Sequence, residues 1–387
     1  MGANPILGVF FHWLGGFASG SFYVPFKAVK KWSWEVYWLL GGVFSWIIAP
    51  WVLGLIIVPH LTQVLGQQPF SVLGWTFFWG MMWGFGGLTY GLTMRYLGLS
   101  LGTGIILGLT AVFGTYLPPI FDGAIGAKLH TVAGQVILIG SVFAVMGIAL
   151  TAAAGLSKER EMDEEKKHKA IQEFNLRKGI WVAIFSGVMS ACFAFGLDSA
   201  NPIAVTAMHY GAAELWSGLP KIIVITAGGF VTNLVWCIYL LRKNHTFGEY
   251  FGRIGSTEEK PELALADGGA VAALDPDDPP AAGAVRAERA PLLTNYLFSA
   301  LAGTTWYFQF FFYTMGESQM GNYKFSSWTI HMASIIIFGS LWGIFLKEWK
   351  DTSGLSKFLL GVALFTLIAS TIVIGYGNLL GIQLGGH

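Results

Sequence analysis

Charged side chains are scarce: Asp, Glu, Lys and Arg make up 12% of the 387 residues, against about 25% in an average soluble domain. So few charges cannot cover a surface that faces water, and a mean hydropathy of +0.58 points the same way. The chain reads as an all-α polytopic membrane protein. Cysteine is almost absent; Cys192 and Cys237 both fall in apolar segments, so no disulfide framework is expected. The eight histidines are scattered, with no HExxH or similar cluster, which speaks against a metal-dependent membrane enzyme. A GxxxxGK[ST] loop is also missing, which removes a nucleotide-driven pump. Neither a metal nor a cofactor is expected. No basic residue precedes Lys27, so a cleavable signal is not expected. The net charge of +1 gives no reason to look for nucleic acid.

What is abundant is long apolar sequence. A helix needs about 20 apolar residues to cross the hydrocarbon core, and ten runs qualify: Ile6–Phe26, Trp34–Val58, Val72–Met94, Leu99–Phe121, Val132–Ala153, Gly179–Gly196, Ile222–Leu241, Tyr296–Tyr313, Trp328–Leu346 and Phe358–Tyr376. The connections after the odd-numbered runs hold all but three of the 23 Lys and Arg residues; the exceptions are Lys128, Lys221 and Lys324. The positive-inside rule puts the rich side in the cytoplasm and both termini outside.

Two cytoplasmic connections stand apart. Residues 157–178 mix both signs, with Asp163/Lys167 and Glu165/Lys169 at the spacing of a solvated helix, and read as a linker between halves 1–156 and 179–387. Residues 255–291 are rich in Ala, Gly, Pro and Asp without periodicity and read as a disordered insertion. The halves share weak similarity. Gly8, Gly16, Ser19 and Phe22 match Gly179, Gly187, Ser190 and Phe193 at constant spacing, and "FGT" at Phe113–Thr115 is answered by "FGS" at Phe338–Ser340. The first run enters from outside and the sixth from inside, so the two five-helix repeats are inverted, as in many transporters.

The segments "FYVPFKAVKKWSWE" (Phe22–Glu35), "YGLTMRYLGLSLG" (Tyr90–Gly102), "EFNLRKG" (Glu173–Gly179), "WYFQFFFYTMG" (Trp306–Gly316) and "LKEW" (Leu346–Trp349) resemble the L-rhamnose–proton symporter family of the drug/metabolite transporter superfamily. The resemblance implies ten helices in two inverted halves, a multi-pass place in a bacterial inner membrane, and proton-driven uptake of a neutral deoxy sugar. Sugar, protons and the lipid bilayer would then be its partners. Asp198 stands where the family pattern suggests an amide. An exporter of the same superfamily and a non-transporting sugar receptor are the alternatives; the inverted repeat speaks against a receptor, since pseudo-symmetry generates two alternate openings.

Ionisable groups deep in a membrane are costly and mark function. Two histidines meet that description, His12 and His331, and their ordinary pKa of about 6.5 suits a coupling proton. The competing reading of His331 is a neutral ring bonded to a helix carbonyl or to Ser327. Sugar recognition wants an aromatic face and polar hydrogen-bonding groups. Trp75, Trp79 and Trp83 lie along one helix face, followed by Tyr90; Trp75 reads as facing lipid. Gln309 is the amide within an aromatic run that includes Trp306 and Tyr313, and needs a partner from a helix or from substrate. Asn233 poses the same question, with helix–helix bonding favoured. Glu35 with Arg95 suggests a cytoplasmic gate, against plain anchoring at the interface.

Overall fold

The computed structural model describes residues 2–161, 175–253 and 290–384. The charged pairs of the 157–178 linker, almost all of the 255–291 insertion and the side chain of Arg95 lie outside the described residues. Ten long helices dominate: α1 Pro5–Ser21, α2 Trp34–Ile57, α3 Phe70–Leu97, α4 Leu99–Phe121, α5 Val132–Arg160, α6 Leu176–Ser199, α7 Leu219–Lys243, α8 Leu292–Ser318, α9 Ser327–Phe345 and α10 Gly354–Leu384. Each coincides with one apolar run, usually extended by a turn.

Among the described residues, seven helical stretches are long and apolar enough to cross a membrane, containing α2, α4, α5, α6, α7, α9 and α10. The other three fall short for physical reasons. The α1 helix has 17 residues, while α3 and α8 are interrupted by Gly, Thr, Tyr, Trp and Gln. These same three carry His12, Trp83, Tyr90, Trp306, Gln309 and Tyr313. The outer surface is apolar, with Ile6, Phe121, Phe358 and Phe365 between 67% and 75% exposed. Small polar residues such as Ser19, Thr76, Ser186 and Ser370 are buried. This inversion suits lipid as the solvent, and the chain is a multi-pass membrane protein.

Two prolines shape the elements. Pro25 has no N–H to offer the carbonyl of Ser21, and its ring crowds that carbonyl. The first apolar run therefore breaks after Ser21 and continues as a short helix, Tyr23–Phe26. In α2, Pro50 leaves the Trp46 carbonyl without its helical donor, and the chain widens into a π-turn at Phe44–Ile48. The Thr226 hydroxyl on α7 lies 3.0 Å from the Trp46 oxygen and 2.7 Å from that of Ile222, sharing its hydrogen between them.

Packing repeats when the first five helices are exchanged for the last five. The α1 helix packs on α8 and α9, as α6 packs on α3 and α4; α2 packs on α8 as α7 packs on α3. The α5 and α10 helices run along each other. Matched residues do matched work. Asn4 caps α1 by accepting from the Leu7 N–H at 3.3 Å, and Asn175 caps α6 by accepting from Lys178 at 3.0 Å. Gly16 lets α1 close on Ser334 of α9, and Gly187 lets α6 close on Leu109 of α4. Leu109 and Ser334 each lie one turn before the matched Phe113 and Phe338.

Candidate functional site

At the centre, α3, α4, α6, α8 and α9 enclose a cavity of about 30 Å³. That is room for a water or two at about 10–15 Å³ each, and far short of a sugar. Its walls are aromatic. Trp306 lies 5.0 Å from Trp46 and 6.1 Å from Trp83 between ring centroids, and Phe193 stacks between Phe310 and Trp328 at 4.8 and 5.5 Å. Trp328 is pinned by its indole N–H, which donates to the Thr110 carbonyl at 3.0 Å.

Several polar groups on this wall lack partners. Trp306 Nε1, Ser190 Oγ and His331 Nδ1 are buried without a hydrogen bond among the described residues. Gln309 is 4% exposed, lines the same cavity and has no hydrogen bond there either. Buried polar groups are ordinarily paired, and an unpaired one costs about 1–3 kcal/mol. Trp306, Ser190, His331 and Gln309 line one aromatic cavity, an arrangement able to bind a molecule with hydroxyls and an apolar face. Among the described side chains, which do not include that of Arg95, no Asp, Glu, Lys or Arg lines it.

His331 and His12 are brought together, with ring centroids 6.2 Å apart and Tyr313 5.2 Å from each. His12 rests against Gly316 of α8, and His331 against Gly15 of α1, so each ring occupies space left by a glycine on the other side. Among the described residues neither nitrogen of His12 has a partner, and Ser327 Oγ, one of the partners in the competing reading of His331, is itself unpaired. Of the tryptophan stripe, only Trp83 reaches the cavity. Trp75 is 57% exposed, and Trp79 stacks on Phe195 at 5.1 Å, because the cavity occupies one level of α3 while the stripe spans two turns. Tyr90 lines the cavity and bonds to Thr103 at 2.9 Å. Asn233 donates to Gly229 and accepts from Trp38 Nε1 at 3.3 Å, joining α7 to α2 as favoured.

Glu35 is buried and accepts from Asn244 at 2.9 Å and Thr246 at 2.8 Å. Glu249, unnoticed in the sequence, answers from the other side: its carboxylate accepts from the Ser33 N–H at 2.5 Å and hydroxyl at 2.7 Å. Burial holds the Glu249 carboxyl above its ordinary 4.5, opposed by the Ser33 bonds and reinforced by Glu35. Asn295 bonds both backbone groups of Lys30. The segment after α1 is thus clamped to the segments flanking the 254–289 stretch.

At the opposite end a vestibule of about 350 Å³ descends to Tyr313 and Trp328. Trp328 belongs to both the vestibule and the central cavity. Asp198, Glu317 and Lys128 line the vestibule, and Glu317 pairs at 3.0 Å with Lys221, which is 3% exposed. Burial draws Lys128 below its ordinary 10.5, while Asp122 and Asp198 oppose the shift. In the sequence Lys128 and Lys221 stand out only as cations on the side poor in Lys and Arg. Lys221 and Glu317 are 96 positions apart, and no local pattern announces their pairing.

A sequence profile for the family described as L-rhamnose-proton symport protein matches residues 1–248 and 283–380. Its break falls on the stretch that composition set apart. An L-rhamnose-proton symporter of Mannheimia succiniciproducens is 36% identical over 379 residues, covering 97% of this chain and 99% of the relative. Those of Yersinia pestis (strain Pestoides F) and Yersinia pseudotuberculosis (serotype O:1b) are each 35% identical over 373 residues, 96% of this chain and 98% of the relative.

Proposed function

The chain belongs to the L-rhamnose-proton symporter family, and from that premise we propose that it imports L-rhamnose together with protons by alternating access. It is a transporter rather than an enzyme. The observation that carries the central site is that Gln309 lines one aromatic cavity together with Trp306, Ser190 and His331, whose Nε1, Oγ and Nδ1 are buried without partners among the described residues. A pyranose offers hydroxyls to each and an apolar face to Trp306 or Trp83. The aromatic and uncharged polar residues described in the lining support a neutral substrate over the cations or anions of an exporter.

We read the ten helices as ten spans in two inverted five-helix repeats, residues 1–156 and 179–387, joined by the 157–178 linker and carrying the 255–291 insertion. Both termini face outward from a bacterial inner membrane. The exchange symmetry of the packing, the paired caps at Asn4 and Asn175, and the distribution of Lys and Arg support this reading. On it, the Glu35 and Glu249 clamps close the cytoplasmic end, and the vestibule opens outward. Glu35 then serves the inner closure through Asn244 and Thr246, without needing Arg95.

His331 and His12 hold the coupling proton. A charge shared between two unpartnered rings 6.2 Å apart repels a second one, so one proton per pair is expected. Loading it before the sugar draws solvent and hydroxyls toward the cavity. The test is uptake of labelled L-rhamnose into proteoliposomes with an inward proton gradient and no sodium. Accumulation that a protonophore collapses supports the reading; sugar exchange without accumulation removes the proton, and absence of rhamnose transport removes the substrate.

A further inference from the structure

We propose that the vestibule is a second sugar site, an outer site where a neutral deoxyhexose docks before it passes Trp328. The inference rests on the rhamnose-transport reading and adds a station that the central cavity does not supply.

The first observation is where charge is retained. Of the charged residues on the side poor in Lys and Arg, all but Glu214 gather here. Asp122, Asp198, Glu317, Lys128 and Lys324 line the vestibule, and Lys221 is bound to Glu317. A membrane protein that keeps its cations on the cytoplasmic side has placed its three exceptions around one cavity. General solubility would scatter them over the outer loops.

The second observation is unused bonding capacity. Lys221 takes Glu317 Oε2, and Asn201 takes Asp198 Oδ1. Glu317 Oε1 and Asp198 Oδ2 have no hydrogen-bond partner among the described residues. Lys128 gives one hydrogen to the Asn322 carbonyl at 3.0 Å and has others to spare. Free acceptors and free donors of both signs around one space suit vicinal hydroxyls, each of which donates and accepts. A simple anion or cation would meet charge of its own sign at once. The indole of Trp328 forms part of the floor, offering the apolar surface that a sugar's C–H face prefers.

The third observation is size. The vestibule, at about 350 Å³, lies within the range of about 300–1,000 Å³ common for small-molecule sites, whereas the central cavity holds about 30 Å³. Trp328 lines both spaces, so a sugar resting on its outer face is separated from the unpartnered groups below by one side chain. Passage then requires the bond from Trp328 to Thr110 to break.

Saturation-transfer NMR on the full-length protein in nanodiscs, with L-rhamnose as probe, tests this because it registers weak binding. The paired variant Asp198→Ala/Lys324→Ala removes two exposed side chains and leaves the net charge unchanged, and melting temperature checks its fold. Its transfer signal is expected to fall severalfold without vanishing; Gln309→Ala, at the central cavity, is expected to reduce the remainder, and the triple variant to abolish it. An unchanged signal in the paired variant overturns the outer site, as does complete loss in Gln309→Ala alone. Absence of signal and of transport in the unmodified protein overturns the rhamnose reading itself, and the outer site with it.

Discussion

Gln309 shows how much a single residue carries. Within an aromatic run it could bond a neighbouring helix or a substrate; among the described residues it bonds neither backbone nor side chain. Gln309→Ala is therefore expected to leave the fold intact and raise the half-saturating L-rhamnose concentration about tenfold, the loss of one hydrogen bond of about 1.4 kcal/mol. Asn233 looked similar in sequence but is satisfied by Trp38 and Gly229. Periodicity cannot distinguish the two, because the difference lies in what the neighbouring helix presents. Glu161 gives a pH signature at the same scale. Hydrogen bonds from Ser353, then Ser356, hold its carboxyl below the ordinary 4.5 and tie the end of α5 to the start of α10. A depressed carboxyl adds stability that is fully present above 4.5 and is lost as pH falls through the lower folded value. Melting curves of the unmodified protein and Glu161→Gln should therefore differ at neutral pH and converge in acid; a gap that persists or widens in acid contradicts this assignment.

At the scale of elements, the ten long helices were legible from their apolar runs, and the seven long and apolar enough to cross a membrane most plainly so, because in lipid every backbone group must be paired internally. Their interruptions were less legible. Pro25 and Pro50 are visible in sequence, but whether proline ends a helix or widens it depends on a tertiary donor. The Thr226 hydroxyl reaches the carbonyl that Pro50 leaves free, so α2 continues through its π-turn. At Pro25 the first run divides after Ser21 instead. Thr226→Val is expected to destabilise the protein by about 1 kcal/mol, with much of that recovered when Pro50→Ala restores an N–H. Thermal unfolding of the two single variants and the double tests the coupling, and strictly additive effects contradict it. The tryptophan stripe of α3 was read correctly as one helix face, yet only Trp83 meets the cavity, since a face says nothing of depth along the helix.

At the scale of the whole molecule, exchange of the two sets of five helices relates the packing of α1 to that of α6, down to Gly16 against Ser334 and Gly187 against Leu109. Four matched residues in an apolar segment were a faint trace of it, because lipid selects composition more strongly than identity. The histidine pair breaks the symmetry: the residue matched to His12 by the same spacing is Ala183. Residues 1–156 thus supply His12 and residues 179–387 supply His331. The proposed coupling of sugar to proton places the proton on this pair. The most direct measurement is lumenal pH in proteoliposomes held at equal pH inside and out, after L-rhamnose is added outside. Acidification of the lumen that tracks sugar entry and disappears in His331→Gln, while sugar exchange persists, is the predicted result. Rhamnose entering without proton movement, or acidification untouched by His331→Gln and His12→Gln together, would contradict the account.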